Sequence, residues 1–146
     1  MAVYHPFPIE VVKELINLGA NINKPTPNGF TPFALAVSHT FPVSMIEELI
    51  KLGGDVNQPI KDGRTPLMLS CISRTSPNVL KLLIKYGADV NAQDKNGYTA
   101  LMQVLRLNNL SEKKTFIKTL IDNGADLTKL KNIQGKTALD IMIERI

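Results

Sequence analysis

Asn28-Gly-Phe-Thr-Pro32 returns as Asp62-Gly-Arg-Thr-Pro66, as Asn96-Gly-Tyr-Thr-Ala100 and as Gln134-Gly-Lys-Thr-Ala138. Between them a second phrase recurs: Gly19-Ala-Asn-Ile-Asn23, Gly53-Gly-Asp-Val-Asn57, Gly87-Ala-Asp-Val-Asn91 and Gly124-Ala-Asp-Leu-Thr128. The chain is an array of one repeated unit. From Gly29 to Gly63 and from Gly63 to Gly97 the interval is 34 residues, and from Gly97 to Gly135 it is 38, so the last interval carries an insertion. Asn or Asp followed by Gly gives a tight turn, because Gly adopts positive φ at no steric cost. Thr31 and Thr65 stand where an N-cap oxygen accepts a helix-start amide, and Pro32 and Pro66 fall at the first helical position, where no amide is needed. Further on, Ile46, Leu49 and Ile50, then Leu80, Leu83 and Ile84, follow the i, i+3, i+4 spacing of a half-buried helix that stops at Gly53 and Gly87. The predicted unit is turn, short helix, longer helix, loop. Neither helix can hide its apolar face alone, so stacking of about three units has to create the core.

A period near 34 is shared by two helical repeats, the ankyrin and the tetratricopeptide types. The local phrases separate them. Thr-Pro-Leu-x-x-Ala at a helix start and Gly-Ala-Asp-Val-Asn after a helix end are ankyrin marks, matched by Thr31-Pro-Phe-Ala-Leu-Ala36 and Gly87-Ala-Asp-Val-Asn91. The chain resembles the ankyrin-repeat family from end to end. That resemblance implies an all-α fold, a solenoid of stacked helix-turn-helix units with projecting β-hairpin or turn loops. One domain is expected over 1–146, divided into a partial repeat 1–27, repeats 28–61 and 62–95, a repeat with an insertion 96–133 and a partial repeat 134–146. Several positions depart from the family pattern. The usual His after Thr-Pro-Leu is replaced by Ala34, Met68, Met102 and Asp140, and Ala100 and Ala138 stand where the first two units have proline, which weakens those two phrases. Leu107 to Lys114 is longer than its counterparts and predicts a longer loop or an added helical turn.

Both ends fall inside a unit. Ala2-Val-Tyr-His-Pro-Phe-Pro8 aligns with Ala36-Val-Ser-His-Thr-Phe-Pro42 at an offset of 34 residues, so the chain begins within a first helix. Lys136 to Ile146 supplies a turn and first helix without a second, which leaves Leu139, Met142, Ile143 and Ile146 partly without cover. The expectation is a piece of a longer ankyrin protein, since terminal repeats carry a polar outer face.

Composition narrows the chemistry. The 146 residues are 44% hydrophobic and 21% charged, which is ordinary for a globular domain, and no apolar run reaches the roughly 20 residues of a membrane helix. No signal peptide is recognisable, so membrane insertion is not expected and a reducing, cytoplasmic location is. Cys71 is the single cysteine, which excludes an internal disulfide and a zinc site of several thiolates. It takes the place of Val37 and Leu105 in the repeat and is read as core, not as a nucleophile. His5 and His39 occupy equivalent positions in neighbouring units. Packed helices lie roughly 8–10 Å apart while zinc ligands stand about 2 Å from the metal, so a metal site is not expected, and no cofactor motif is present. The net charge of +4 favours acidic partners. Lys113, Lys114, Lys118, Lys129, Lys131 and Lys136 gather basic charge in the last third, but without the aromatic interleaving of single-strand binders, so nucleic acid is not expected.

The resemblance implies no enzymatic activity and binding of a partner protein or peptide, as a monomer, through a concave face of hairpins and first helices. On a repeating frame, specificity belongs to the positions that vary. Phe30, Arg64, Tyr98 and Lys136 follow the turn glycines, and the two aromatics and the arginine are of the types enriched at binding hot spots. The first-helix ends add Ser38, His39, Ile72, Ser73, Arg106 and Leu107; an exposed Ile72 or Leu107 would point to a partner, a packed one to a neighbouring repeat. Asn57 and Asn91, with Leu49 and Leu83 eight residues upstream, resemble the sites of an oxygen-sensing asparaginyl hydroxylase in ankyrin proteins. The alternative for them is a loop brace through side-chain to backbone hydrogen bonds. Two other readings of the chain stand beside partner binding: a spacer that positions another domain, and an effector module acting on a host protein in host cytosol. The excess of Lys over Arg with plentiful Ile and Asn fits AT-rich coding, as in an intracellular bacterium, virus or protist.

Overall fold

A computed structural model describes residues 8–73, 75–108 and 111–146. Eight helices occur among them: α1 (Ile9–Asn17), α2 (Pro32–Ser38), α3 (Val43–Lys51), α4 (Pro66–Ile72), α5 (Pro77–Lys85), α6 (Ala100–Arg106), α7 (Lys113–Asp122) and α8 (Ala138–Glu144). The short helices α2, α4, α6 and α8 pack on one another in sequence, as do α3, α5 and α7, so the molecule is two layers of stacked helices joined within each repeat. No strand forms among the described residues. The projecting loops take the turn form of the expected hairpin-or-turn alternatives.

Helix starts follow the repeated threonine. Thr31, Thr65, Thr99 and Thr137 each accept from the amide three residues on, at 3.0, 3.4, 3.3 and 3.2 Å. Loss of proline at Ala100 and Ala138 therefore does not remove the cap. At α8 the cap is doubled, because the Asp140 carboxylate accepts back from the Thr137 amide at 2.8 Å, a capping box. Asp140, which the sequence presents as a missing histidine, is a helix-start residue.

Helix ends explain the second phrase. After α1, α3, α5 and α7 the glycine lies in the left-handed region, with φ of 96° at Gly19 and 92° at Gly87. Its amide and that of the next residue turn back onto the helix: Gly87 to Ile84 O at 3.0 Å and Ala88 to Leu83 O at 3.0 Å. This is the Schellman ending, which satisfies carbonyls the helix leaves open. α2 ends in the same way, with Thr40 amide to Val37 O at 3.2 Å and Phe41 amide to Ala36 O at 3.0 Å, but the left-handed position is held by Thr40 at φ 57°.

The core runs between the layers through Phe33, Ile46, Leu67, Met68, Leu80, Leu83, Leu101, Met102, Phe116 and Leu120, all nearly inaccessible. α4, central in its layer, buries every residue from Pro66 to Cys71. Each buried Leu or Met contributes about 1.5–3 kcal/mol relative to exposure, so the middle of the stack carries most of the stabilisation. The ends are barer. α1 has no buried residue, with Leu15 and Leu18 exposed, and on α8 Leu139, Ile143 and Ile146 are exposed. Met142, expected among the uncovered residues, is half-buried against the core. The insertion spreads between loop and helix: residues 107–112 separate α6 from α7, where 39–42 and 73–76 separate the earlier pairs, and α7 has 10 residues against 9 in α3 and α5.

Candidate recognition surface

The turn tips are fixed before their side chains are considered. A backbone bond closes each one, from Thr26 to Phe30 and Ile60 to Arg64 at 2.9 Å, and from Asp94 to Tyr98 and Asn132 to Lys136 at 3.0 Å. Neighbouring tips are also joined, by Lys61 N to Asn28 O at 3.0 Å, Lys95 N to Asp62 O at 3.0 Å and Ile133 N to Asn96 O at 2.7 Å. A Cβ on Gly29 would stand 2.5 Å from Lys61 N, so glycine there serves the approach of the next tip as well as the turn. The variable residues are carried on this row.

They differ in availability. Phe30 and Arg64 are half-buried, and Arg64 Nε donates to Asp62 Oδ2 at 2.7 Å. Tyr98 is only 7% exposed, and the Arg106 guanidinium lies 4.5 Å from its ring centroid. The ring is a platform, and the exposed group above it is Arg106. Lys136 Nζ is bound to Glu144 at 2.7 Å. At the first-helix ends, Ser38 donates to Leu35 O at 3.1 Å, and His39 Nδ1 lies 2.9 Å from the same carbonyl. Ile72, Ser73 and Leu107 are half-buried, so neither apolar side chain stands out as an uncovered patch. His5 lies outside the described residues, and the pairing of the two histidines is not described.

The basic cluster of the last third is partly consumed internally. Lys113 Nζ donates to Leu105 O at 2.9 Å and Leu107 O at 2.8 Å, closing the C-terminal end of α6, and burial together with nearby Arg145 pushes its pKa down. Lys118 pairs with Asp122 at 2.6 Å. Cys71 is fully buried, and burial raises its thiol to about 12, which leaves no thiolate for chemistry near neutral pH. No group of three or more His, Cys, Asp or Glu side chains among the described residues could hold a metal ion. Among the same residues no helix is long and apolar enough to cross a membrane.

Asn23, Asn57 and Asn91 form a separate row. Each carboxamide bridges to the following repeat, its Nδ2 donating to Gly53 O, Gly87 O and Gly124 O at 2.8, 2.9 and 2.9 Å. Its Oδ1 accepts from the amides of Asp55, Asp89 and Asp126 at 2.8, 2.8 and 2.7 Å. Both ends of the amide are engaged, which is the bracing alternative in its fullest form.

Two clefts border these rows. One, of about 510 Å³, crosses the tips and is lined by Asn28, Phe30, Ile60, Lys61, Asp62, Arg64 and Lys95. Lys61 and Lys95 are absent from the sequence-derived candidates. The signal was present, since the residues before each turn pair, Pro27, Lys61, Lys95 and Ile133, vary as well. The other cavity, about 340 Å³, lies between α1, α2 and α3 with Val12, Leu35, Phe41 and Met45 in its wall. Leu35 is 36% exposed where its counterpart Leu69 is 3% exposed.

A family model described as Ankyrin repeats (3 copies) matches residues 1–94 and 76–145. The chain belongs to the ankyrin-repeat family. Comparison with curated proteins gave no match.

Proposed function

We propose that the chain is a protein-binding module whose partner lies across the tips and first-helix ends. Ankyrin repeats are in general protein-protein interaction modules, and the observation that carries the reading here is the cleft of about 510 Å³ across a tip row whose backbone is pinned at every repeat. Preorganised backbone lowers the ordering cost of association. Phe30, Arg64 and Arg106 are its recognition residues, with Tyr98 supporting Arg106; Lys136, Ser38, His39, Ile72, Ser73 and Leu107 border them.

Photo-crosslinking tests it. A photoreactive residue at position 64 is expected to give one discrete adduct that rebinds as a purified protein, and the same residue at position 114, on the outer layer, is not. Phe30→Ala with Arg106→Glu is expected to abolish rebinding while circular dichroism stays unchanged. Equal adducts from both positions, or none from either, would favour the spacer reading.

A further inference from the structure

We propose that the cleft across the tips bearing Asn28, Asp62 and Asn96 takes an acidic polypeptide segment in extended form, with an apolar side chain on Phe30 and Ile60 and carboxylates at Lys61 and Lys95. It rests on the reading of the tip face as a protein-binding surface and gives that surface a ligand chemistry. Ile60 is 5% exposed and Phe30 half-buried, so the floor is apolar and firmly held. Around it stand three cations and one carboxylate, and that carboxylate is already occupied: Asp62 accepts from Arg64 Nε at 2.7 Å and from the Arg64 amide at 3.1 Å.

Lys61 and Lys95 differ from four lysines of the outer layer in being unpaired among the described residues, and from the likewise unpaired Lys81 and Lys114 of that layer in lining the cleft. Lys13, Lys51, Lys85 and Lys118 each face a carboxylate of their own fold. Lys61 and Lys95 are exposed, and among the described residues neither forms an ion pair. Their backbones are tied to the preceding tips at 3.0 Å, so both charges are presented from a fixed row one repeat apart. Repeats stack at the roughly 8–10 Å separation of packed helices, and a chain extended in the polyproline II form, three residues per turn, advances about 3.1 Å per residue. Carboxylates three residues apart therefore share a face and match the two lysines. The cleft offers a single aromatic and no stacking ladder, which disfavours single-stranded nucleic acid as the source of negative charge.

The probe is a fluorescein-labelled peptide of about 12 residues, roughly 40 Å when extended, with Glu at every third position and one central Leu. Anisotropy is expected to show saturable binding that weakens at least tenfold between about 0.1 M and about 1 M salt, as the screening length falls from roughly 10 Å to roughly 3 Å. Lys61→Glu with Lys95→Glu is expected to lose at least tenfold, and Lys61→Gln with Lys95→Gln a smaller amount. Lys81→Glu with Lys114→Glu, the same change of net charge on the outer layer, leaves binding intact. The inference is overturned if the peptide with Gln for Glu binds equally, if both double charge reversals act alike, or if an oligonucleotide of equal charge competes as well as the peptide. A purified partner that cross-links at position 64 but ignores Lys61→Glu with Lys95→Glu also overturns it, while leaving the tip face as a binding surface.

Discussion

Thr40 and Gly97 show how single residues carry the repeat. Thr40 holds the left-handed position at the end of α2 that Gly19, Gly53, Gly87 and Gly124 hold after the longer helices. A β-branched residue there costs roughly 1–2 kcal/mol, partly offset by the extra freedom glycine has when unfolded. Thr40→Gly is expected to stabilise the chain by about 0.5–1 kcal/mol in urea denaturation. The turn glycines separate two causes of one preference. Gly97 lies at φ 77° and its added Cβ would stand 2.8 Å from Asn132 Cα, whereas Gly135 lies at φ 74° with nothing near. Gly135→Ala is expected to cost about 1–2 kcal/mol, and Gly97→Ala about 1–3 kcal/mol more, because a tip must move as well. Equal costs would show that the tips do not constrain one another. Caps and turns were legible because they rest on residues three or four apart. The contact of Tyr98 with Arg106 was not legible, because Arg106 lies at the far end of α6 and nothing in the repeat phrase encodes it.

At the scale of elements, the asparagine row and the α8 capping box are the polar features that hold secondary structure in place. Asn91→Ala removes two hydrogen bonds between repeats and is expected to destabilise the chain by about 1–3 kcal/mol. Asp140 gives a pH dependence of known sign. Its carboxylate accepts from the Thr137 amide and hydroxyl, which hold its pKa below the ordinary 3.8. Its contribution is present above that value and is lost as pH falls through the depressed one. The gap in denaturation midpoint between the native chain and Asp140→Ala is expected to be widest near neutrality and to narrow below about pH 4. A constant gap from neutrality into acid would exclude the carboxylate as its cause. The Thr-x-x-Asp spacing was readable as a capping box, but comparison with the family histidine drew attention elsewhere.

Across the whole molecule, burial falls from the middle of the stack to its ends. Six of the seven residues of α4 are buried and none of α1 is. Hydrogen exchange is expected to be slowest in α4, intermediate in α6 and fastest in α1, following local rather than global opening. Uniform protection would indicate a single cooperative unit. The period fixed this layered order from sequence alone, because each repeat meets only its neighbours. The lysine-rimmed cleft was not legible, since it exists only once adjacent tips are brought together by bonds between residues some 33 positions apart, as from Lys61 to Asn28. The asparagine clamps have a mechanical consequence. They lie in series along the stack, one at each of the first three junctions, so a lengthwise pull loads every one of those junctions with the full tension instead of sharing it among them. Such a rod yields junction by junction, with a sawtooth extension, and lengthens under strain without losing its remaining segments.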